Sequence, residues 1–325
     1  GDNGVEITLE ANPGTIEHGS FIGYKQAGIN RVSLGVQSFN DAYLKKLGRI
    51  HSAQTAVDAI DKVKTAGFNN FNIDIMYGLP GQSLEKFPDT LEKTLTLKPN
   101  RLAVYSYAHV PWIRPVQRAF KDSDIPSAHT KLELFEMALN FFTKHDYHLI
   151  GMDHFADKQD ELYTALQNKS IHRNFMGYTT RADAHQIGFG VSSISYVNGN
   201  YFQNFKKLPE YEQSIKSESL ATYRGFILNQ DDKIRRDLIT ELMCQQEIKI
   251  PEFEEAHSIQ FSQLFANELE LLKGFVDDSL LQISPDKIQV TGNGHLVLRN
   301  MAMCFDEHLD AIKKNATNPV FSKTV

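Results

Sequence analysis

The chain has 325 residues, 41% of them apolar and 23% charged, a net charge of −6, and no apolar run long enough to cross a membrane. That length buries a large core, in one big domain or two ordinary ones, and the acidic balance argues against nonspecific nucleic-acid binding. Two cysteines, Cys244 and Cys304, make no disulfide framework and are too few to hold an iron–sulfur cluster or a structural zinc; with no signal peptide visible, a reducing, cytoplasmic setting is expected.

Glu6–Ala11 reads as a short strand ending at Asn12-Pro13-Gly14. A helix follows with Phe21, Tyr24 and Ala27 on one face and Gly28 as its stop. Arg31–Gln37 is the next strand, after which Ser38 and Asp41 have capping-box spacing, with Asp in place of the usual Glu. A helix over Ala53–Ala66 carries Ala56, Val57, Ile60 and Val63 as a buried stripe and ends at Gly67. Phe71–Tyr77 is an apolar run with one acid, Asp74, broken by Gly78, Pro80 and Gly81. A parallel strand covered on both faces is almost continuously apolar, so a carboxylate inside one marks a rim that meets a ligand. The next helix carries Leu84, Phe87, Leu91 and Leu95, with Pro88 suited to its first turns or a kink.

Arg101–Ala108 is a fourth strand, followed by an irregular segment with Pro111, Pro115 and Pro126, a helix over Ser127–Lys144 and a fifth strand at His148–Asp153. Ala27-Gly28-Ile29-Asn30 and Ala66-Gly67-Phe68-Asn69 each close a helix just before a strand. Such repetition implies an α/β protein with a parallel sheet, open or curled into a barrel. Residues 154–229, rich in His, Asn, Gly and Tyr, read as loops covering a site. Beyond Asp231 come helices at Ile234–Gln246 and Phe261–Leu272, a hairpin over Leu281–Val290 about Ser284-Pro285-Asp286, and a further helix. The expected division is therefore 1–229 and 230–325, the second part a mostly helical, winged-helix-like domain whose low basicity favours a lid or docking role over DNA binding.

In parallel βα proteins the site forms at the C-terminal ends of the strands, where this chain gathers Glu10 and Asn12, Gln37, Asp74, Tyr107 and His109, and Asp153 and His154. Capping and loop hydrogen bonds use the same residue types, so one such position means little, but five strand ends with polar tips are harder to dismiss. Gly188-Phe189-Gly190 is a lone Gly-x-Gly with a packing role, and His109, His154 and His172 suit a hydrogen-bonded pocket wall better than a metal. Arg235 and Arg236 are expected in a domain-interface ion pair, and Arg49, Arg114, Arg118 and Arg173 are placed to receive an acidic ligand or to lie on the surface.

Taken together, Glu10–Gly14, Arg31–Asn40, Asn72–Pro80, Tyr107–Pro111, Gly151–Ala156, His172–Thr180 and Asp232–Asp237 resemble the oxygen-independent coproporphyrinogen III oxidases, a radical S-adenosylmethionine (SAM) family, over essentially the whole chain. The resemblance implies a partial radical SAM (β/α) barrel with its first strands missing, followed by the C-terminal helical domain. It implies that Glu10, Gln37, Arg49 and Asp74 contact S-adenosyl-L-methionine, that Met76 and Ala108 line the adenosine, and that Ile194 belongs to the same pocket. It further implies a [4Fe–4S] cluster whose cysteines belong upstream of Gly1, where the chain reads as cut, and an inactive fragment. Coproporphyrinogen III would lose two carboxyl groups through a 5′-deoxyadenosyl radical to give protoporphyrinogen IX, in a cytoplasmic monomer served by an electron donor, with no nucleic acid or membrane partner. Met176 stands where an amide is common in the family. A metal-dependent barrel hydrolase and a non-catalytic haem-binding relative are the alternatives.

Overall fold

Four parallel strands organise the first unit, through Thr164, of the computed structural model, which describes residues 4–17, 19–182 and 184–315. These are β1 (Thr8–Ala11), β2 (Arg31–Gln37), β3 (Phe71–Tyr77) and β4 (Arg101–Ser106), paired in that order. Helix α1 (Ser20–Gln26) separates β1 from β2, α2 (Asp41–Lys46) and α3 (Ala53–Thr65) separate β2 from β3, and α4 (Phe87–Thr96) precedes β4. Pro88 sits in the first turn of α4, where no backbone N–H is needed. Asn40, rather than Ser38, caps α2, its Oδ1 accepting from Ala42 N at 3.0 Å. Asp41 instead accepts from Ala53 N at 2.7 Å, tying α2 to the start of α3.

After α5 (Ala128–Lys144) the sheet departs from the expected pattern. Strand β5 (Tyr147–Gly151) turns through Met152, at φ 48, into β6 (His154–Asp157). β6 inserts antiparallel between β4 and β5, giving the order β1-β2-β3-β4-β6-β5. The expected fifth parallel strand at His148–Asp153 is thus the outer arm of a hairpin.

The sheet sorts its residues by parity. Val32, Leu34, Val36, Ile73, Ile75, Leu102, Val104 and Phe155 alternate onto one face and are at most 1% exposed. Helix α3 covers β2, with Ala56, Ile60 and Val63 buried, and α5 covers β3, β4 and β5, with Leu134, Ala138 and Phe142 buried. Each large side chain so buried contributes about 1.5–3 kcal/mol. The opposite face is polar and half-buried, and it carries Asp74. The carboxylate therefore does not sit in a strand that is apolar on both sides.

The N-terminal end of that polar face is closed by charge. Arg101 Nε meets both oxygens of Asp160 at 3.1 and 2.9 Å, and its Nη2 reaches Glu161 at 2.9 Å. Arg31 Nη2 meets the same Glu161 oxygen at 3.0 Å and its Nε lies 3.1 Å from Glu6.

Helix α6 (Glu161–Gln167) leads into the second unit, Ala165–Asp310. Its first part holds a hairpin, β7 (His172–Asn174) and β8 (Gly177–Thr179), and an antiparallel sheet ordered β11-β10-β9. The members of that sheet are β9 (Ile194–Val197), β10 (Asn200–Asn204) and β11 (Thr222–Ile227), with α7 (Leu208–Lys216) between the last two. The segment read as loops therefore contains six short strands and two helices. Asn198-Gly199, both at positive φ, forms the two-residue turn of the β9–β10 hairpin, a dipeptide that signals such a turn.

Helix α8 (Gln230–Gln245) follows, capped reciprocally by Asn229 and Asp232. Then come β12 (Glu247–Lys249), α9 (Ile250–His257), α10 (Phe261–Leu264), α11 (Ala266–Asp277), β13 (Leu281–Ile283), β14 (Lys287–Val290), α12 (Leu298–Met303) and α13 (Glu307–Asn315). The last three strands pair as β12-β14-β13, so the expected hairpin gains a third strand from before the helices. Phe253, Phe261, Phe265 and Phe305 form its aromatic core, each at most 4% exposed. Arg235 bonds Asp231 and Glu268, both at 2.6 Å, inside the 230–325 segment, while Arg236 joins Asp237 to the Tyr196 hydroxyl across residue 229. Residues 316–325 of the expected C-terminal domain lie outside the described residues. Among the described residues no helix is long and apolar enough to cross a membrane.

Candidate active site

Strand register assembles the polar face into a row. Glu10 pairs with Ser33, and Gly35, Asp74, Ala103 and His154 follow one another across β2, β3, β4 and β6. Asp74 is thus flanked by two of the smallest residues. Asn72 Nδ2 donates to Asp74 Oδ1 at 2.5 Å and to Ser33 Oγ at 3.0 Å, while its own Oδ1 is buried without a partner.

Gln37 ends β2 in the left-handed region at φ 71, and a register break puts it opposite Ile75 rather than Met76. Its amide thereby folds back over Gly35, where an added Cβ would lie 2.9 Å from Gln37 Nε2. Gly35→Ala is expected to displace that amide and weaken ligand binding several-fold while leaving the thermal midpoint within a few degrees, as titration calorimetry and a melting curve would show.

His51, 4% exposed, ties two strand ends together. Its Nε2 lies 3.2 Å from the Val36 carbonyl and its Nδ1 3.1 Å from Asn12 Oδ1, both acceptors, so the neutral ring sits between the ends of β1 and β2 and donates to one of the two. Burial lowers its pKa, opposed by the bond to Val36. The turn after β3 is fixed just as firmly. Gly78 and Gly81 take φ of 71 and 76, the buried stem of Lys131 lies 3.0 Å from where a Cβ on Gly78 would be, and Lys131 Nζ donates to the Tyr107 carbonyl at 3.2 Å. Tyr43 donates to the Gly81 carbonyl at 3.1 Å and Lys46 to that of Pro80 at 3.2 Å. Glycine is required at 78 by both its φ and the lysine beneath it.

The row is strongly acidic. Burial pushes the Asp74 carboxyl up to about 6; the bond from Asn72 opposes this, and Glu10 adds to it. Glu10 is exposed on the edge strand, yet the protein around its carboxyl withdraws enough water to raise its pKa as well. Burial lowers Arg49, and the Asp74 charge opposes that shift, so guanidinium and carboxylate act on each other. Carboxylates held above their ordinary range ionise more readily beside a cation. The face suits a ligand with a positive centre, hydroxyl groups and a carboxylate.

The first unit therefore brings Glu10, Gln37, Arg49, Asp74 and Met76 to one end of one face, with Ala108 exposed just past the buried Tyr107. Ile194 opens β9 in the second unit. His154 is engaged by Asp153 at 2.7 Å, His109 packs 6.0 Å from the Tyr107 ring, and His172 lies on β7. Arg114 and Arg118 are exposed, and Arg118 donates to the Pro111 carbonyl. Among the described residues no three His, Cys, Asp or Glu side chains are grouped to hold a metal. Ser33, Gly35 and Asn72 escaped the sequence reading although strand parity puts them on the face of Asp74. His51 escaped because its contacts span 39 and 15 residues.

A sequence profile of the radical SAM superfamily matches residues 1–94, and one of the HemN C-terminal domain matches residues 228–297. Oxygen-independent coproporphyrinogen III oxidase from Salmonella typhimurium is 39% identical over 321 residues, covering 99% of this chain and 70% of the relative. The oxidase of the same name from Synechocystis is 37% identical over 325 residues, at 99% and 69% coverage. The solved structure of coproporphyrinogen III oxidase (HemN) from Escherichia coli, described as a radical SAM enzyme, superposes with a TM-score of 0.85 at 39% identity, over 94% of this chain and 70% of that one.

Proposed function

Because the chain belongs to the oxygen-independent coproporphyrinogen III oxidase family of radical SAM proteins, we propose that it serves the conversion of coproporphyrinogen III to protoporphyrinogen IX in haem biosynthesis. Two propionate arms each give up carbon dioxide, one hydrogen atom and one electron and become vinyl groups. S-adenosylmethionine and a [4Fe–4S] cluster supply the radical chemistry of this family.

The row of raised carboxyls around Asp74 carries the reading, since it fits the cationic cofactor. Glu10 and Asp74 offer acceptors for ribose hydroxyls and an ammonium, Gln37 an amide, and Arg49 a guanidinium for the carboxylate. Met76 and Ala108 are proposed to line the adenosine, and Ile194 is proposed for the same pocket from the resemblance alone. None of these residues is assigned a proton to transfer. The cluster does not fit the residues present. Burial pushes the Cys244 thiol up to about 12, Cys304 is half-buried, and two thiols do not make a three-thiolate set.

We further read the six-stranded sheet as part of a (β/α) barrel. Residues 230–325 are proposed as a winged-helix-like domain distinct from 1–229, a division supported by the family match that begins at 228. A cytoplasmic monomer with an external electron donor and no nucleic-acid or membrane partner completes the proposal, supported by the composition and the net charge of −6.

The test is anaerobic turnover by the full-length protein with an assembled cluster, S-adenosylmethionine and reductant, read as vinyl product by chromatography. Sequential loss of two carboxyl groups is expected. An intact cluster without vinyl product overturns the proposal, and stoichiometric haem retained without turnover would favour the non-catalytic relative.

A further inference from the structure

Wholly within the second unit lies a cavity of about 710 Å³, walled by the β7–β8 hairpin, β9, β10, α8 and the start of α13. That is the size of pocket that takes a whole small-molecule ligand. Its walls are aromatic, with Phe175, Tyr196, Tyr201 and Phe226 lining it, and Phe175 and Phe226 are 59% and 47% exposed. Most of its charges are already matched by one another. Arg235 is held by Asp231 and Glu268, Arg236 by Asp237, and Asp232 by His308 at 2.6 Å.

Arg173 is different. Among the described residues its Nε is buried with no hydrogen-bond partner and no carboxylate pairs with it, and its guanidinium carbon stands 5.7 Å from the centre of the Tyr178 ring. On the same lining, Gln186 holds a buried Oε1 that accepts nothing, its orientation set by Nε2 donating to the Ile194 carbonyl at 3.5 Å. Buried polar atoms in folded proteins are nearly always satisfied, and leaving a guanidinium N–H without an acceptor is costly. A ligand that satisfied both would bring a carboxylate to Arg173, an N–H donor to Gln186, and a flat apolar body to the aromatic wall.

We infer that this cavity binds a carboxylate arm and the adjoining ring of a multi-carboxylate tetrapyrrole, with Arg173 the receiving group. The inference rests on the proposed function, which supplies a ligand with four propionates and four pyrrole N–H groups. Neither Arg173 nor Gln186 is assigned a part in the chemical step. They position the substrate.

The experiment titrates coproporphyrin III, the stable and unreactive oxidised form of the substrate, into the full-length protein by fluorescence, with its tetramethyl ester as control. Arg173→Gln is expected to weaken coproporphyrin III binding about tenfold or more and to leave the weaker ester binding unchanged. Arg173→Lys keeps the charge and the stem but not the fork. It should lose roughly threefold, and it serves as the variant should the glutamine protein unfold. Binding of S-adenosylmethionine should be unaltered in both. Equal coproporphyrin III affinity in wild type and variants, or an equal loss for the ester, overturns the inference while leaving the decarboxylation reading intact. If wild type binds no coproporphyrin III and forms no vinyl product, both fall together.

Discussion

Replacing Arg101 by alanine is expected to destabilise the first unit by about 3–5 kcal/mol, because it strands a buried charge. The Asp160 side chain is 3% exposed and the Arg101 side chain 10%, and Arg101 Nε–H is shared between both Asp160 oxygens at 2.9 and 3.1 Å. Without the guanidinium, Asp160 would keep little more than the Leu162 backbone N–H at 2.8 Å. Glu161 would lose one of its two arginines, but it is 46% exposed, so water takes over and that loss is small. Urea unfolding followed by circular dichroism reads the effect. The double variant Arg101→Met with Asp160→Leu should recover much of it, since removing both charges also removes their desolvation cost. If the single substitution costs less than about 1 kcal/mol, the network is only a surface ornament to the sheet.

Asp74→Asn is expected to weaken S-adenosylmethionine binding by about one to two orders of magnitude, the usual worth of a hydrogen bond to a charged group, while leaving cluster assembly unchanged. The same substitution should stabilise the ligand-free protein at neutral pH. Asp74 titrates at about 6 when folded against an ordinary 3.8, chiefly because burial disfavours its charge. A raised carboxyl contributes stability below the unfolded value and loses it as pH rises through about 6, so the wild type carries a buried charge at pH 7 that the asparagine variant lacks. Ligand binding should show the converse. If the ionised form binds the cation, affinity in the wild type should rise about tenfold between pH 5 and 7, following the ionised fraction, and the asparagine variant should be flat over that range. Calorimetric titration at several pH values reads both, and a variant with unchanged affinity would remove Asp74 from the site.

Much of the first unit is written locally. The helical stripes at Ala56, Ile60 and Val63 and at Phe87 and Leu91, and the strands Arg31–Gln37 and Phe71–Tyr77, were readable to within a residue or two, because each pattern repeats over a few positions. So was the family, whose blocks are contiguous stretches of chain. The strands between 154 and 229 escaped the sequence reading, which has loops there, because short, polar strands such as Ile194–Val197 and Asn200–Asn204 carry no apolar alternation to announce themselves.

Only the tertiary structure settled the rest. The reversal at Met152 that slides β6 between β4 and β5 turns on a non-glycine residue at positive φ, and pairing there follows from the Val104 N–H meeting the Asp153 carbonyl. The contacts of Arg101 with Asp160 and of His51 with Asn12 bridge 59 and 39 residues, as does the sorting of Asp74 onto a polar face between Gly35 and Ala103. Sequence periodicity reports which face of its own element a residue takes. It does not report which other elements that face meets, and the carboxylate row around Asp74 and the cavity around Arg173 are both made of such meetings.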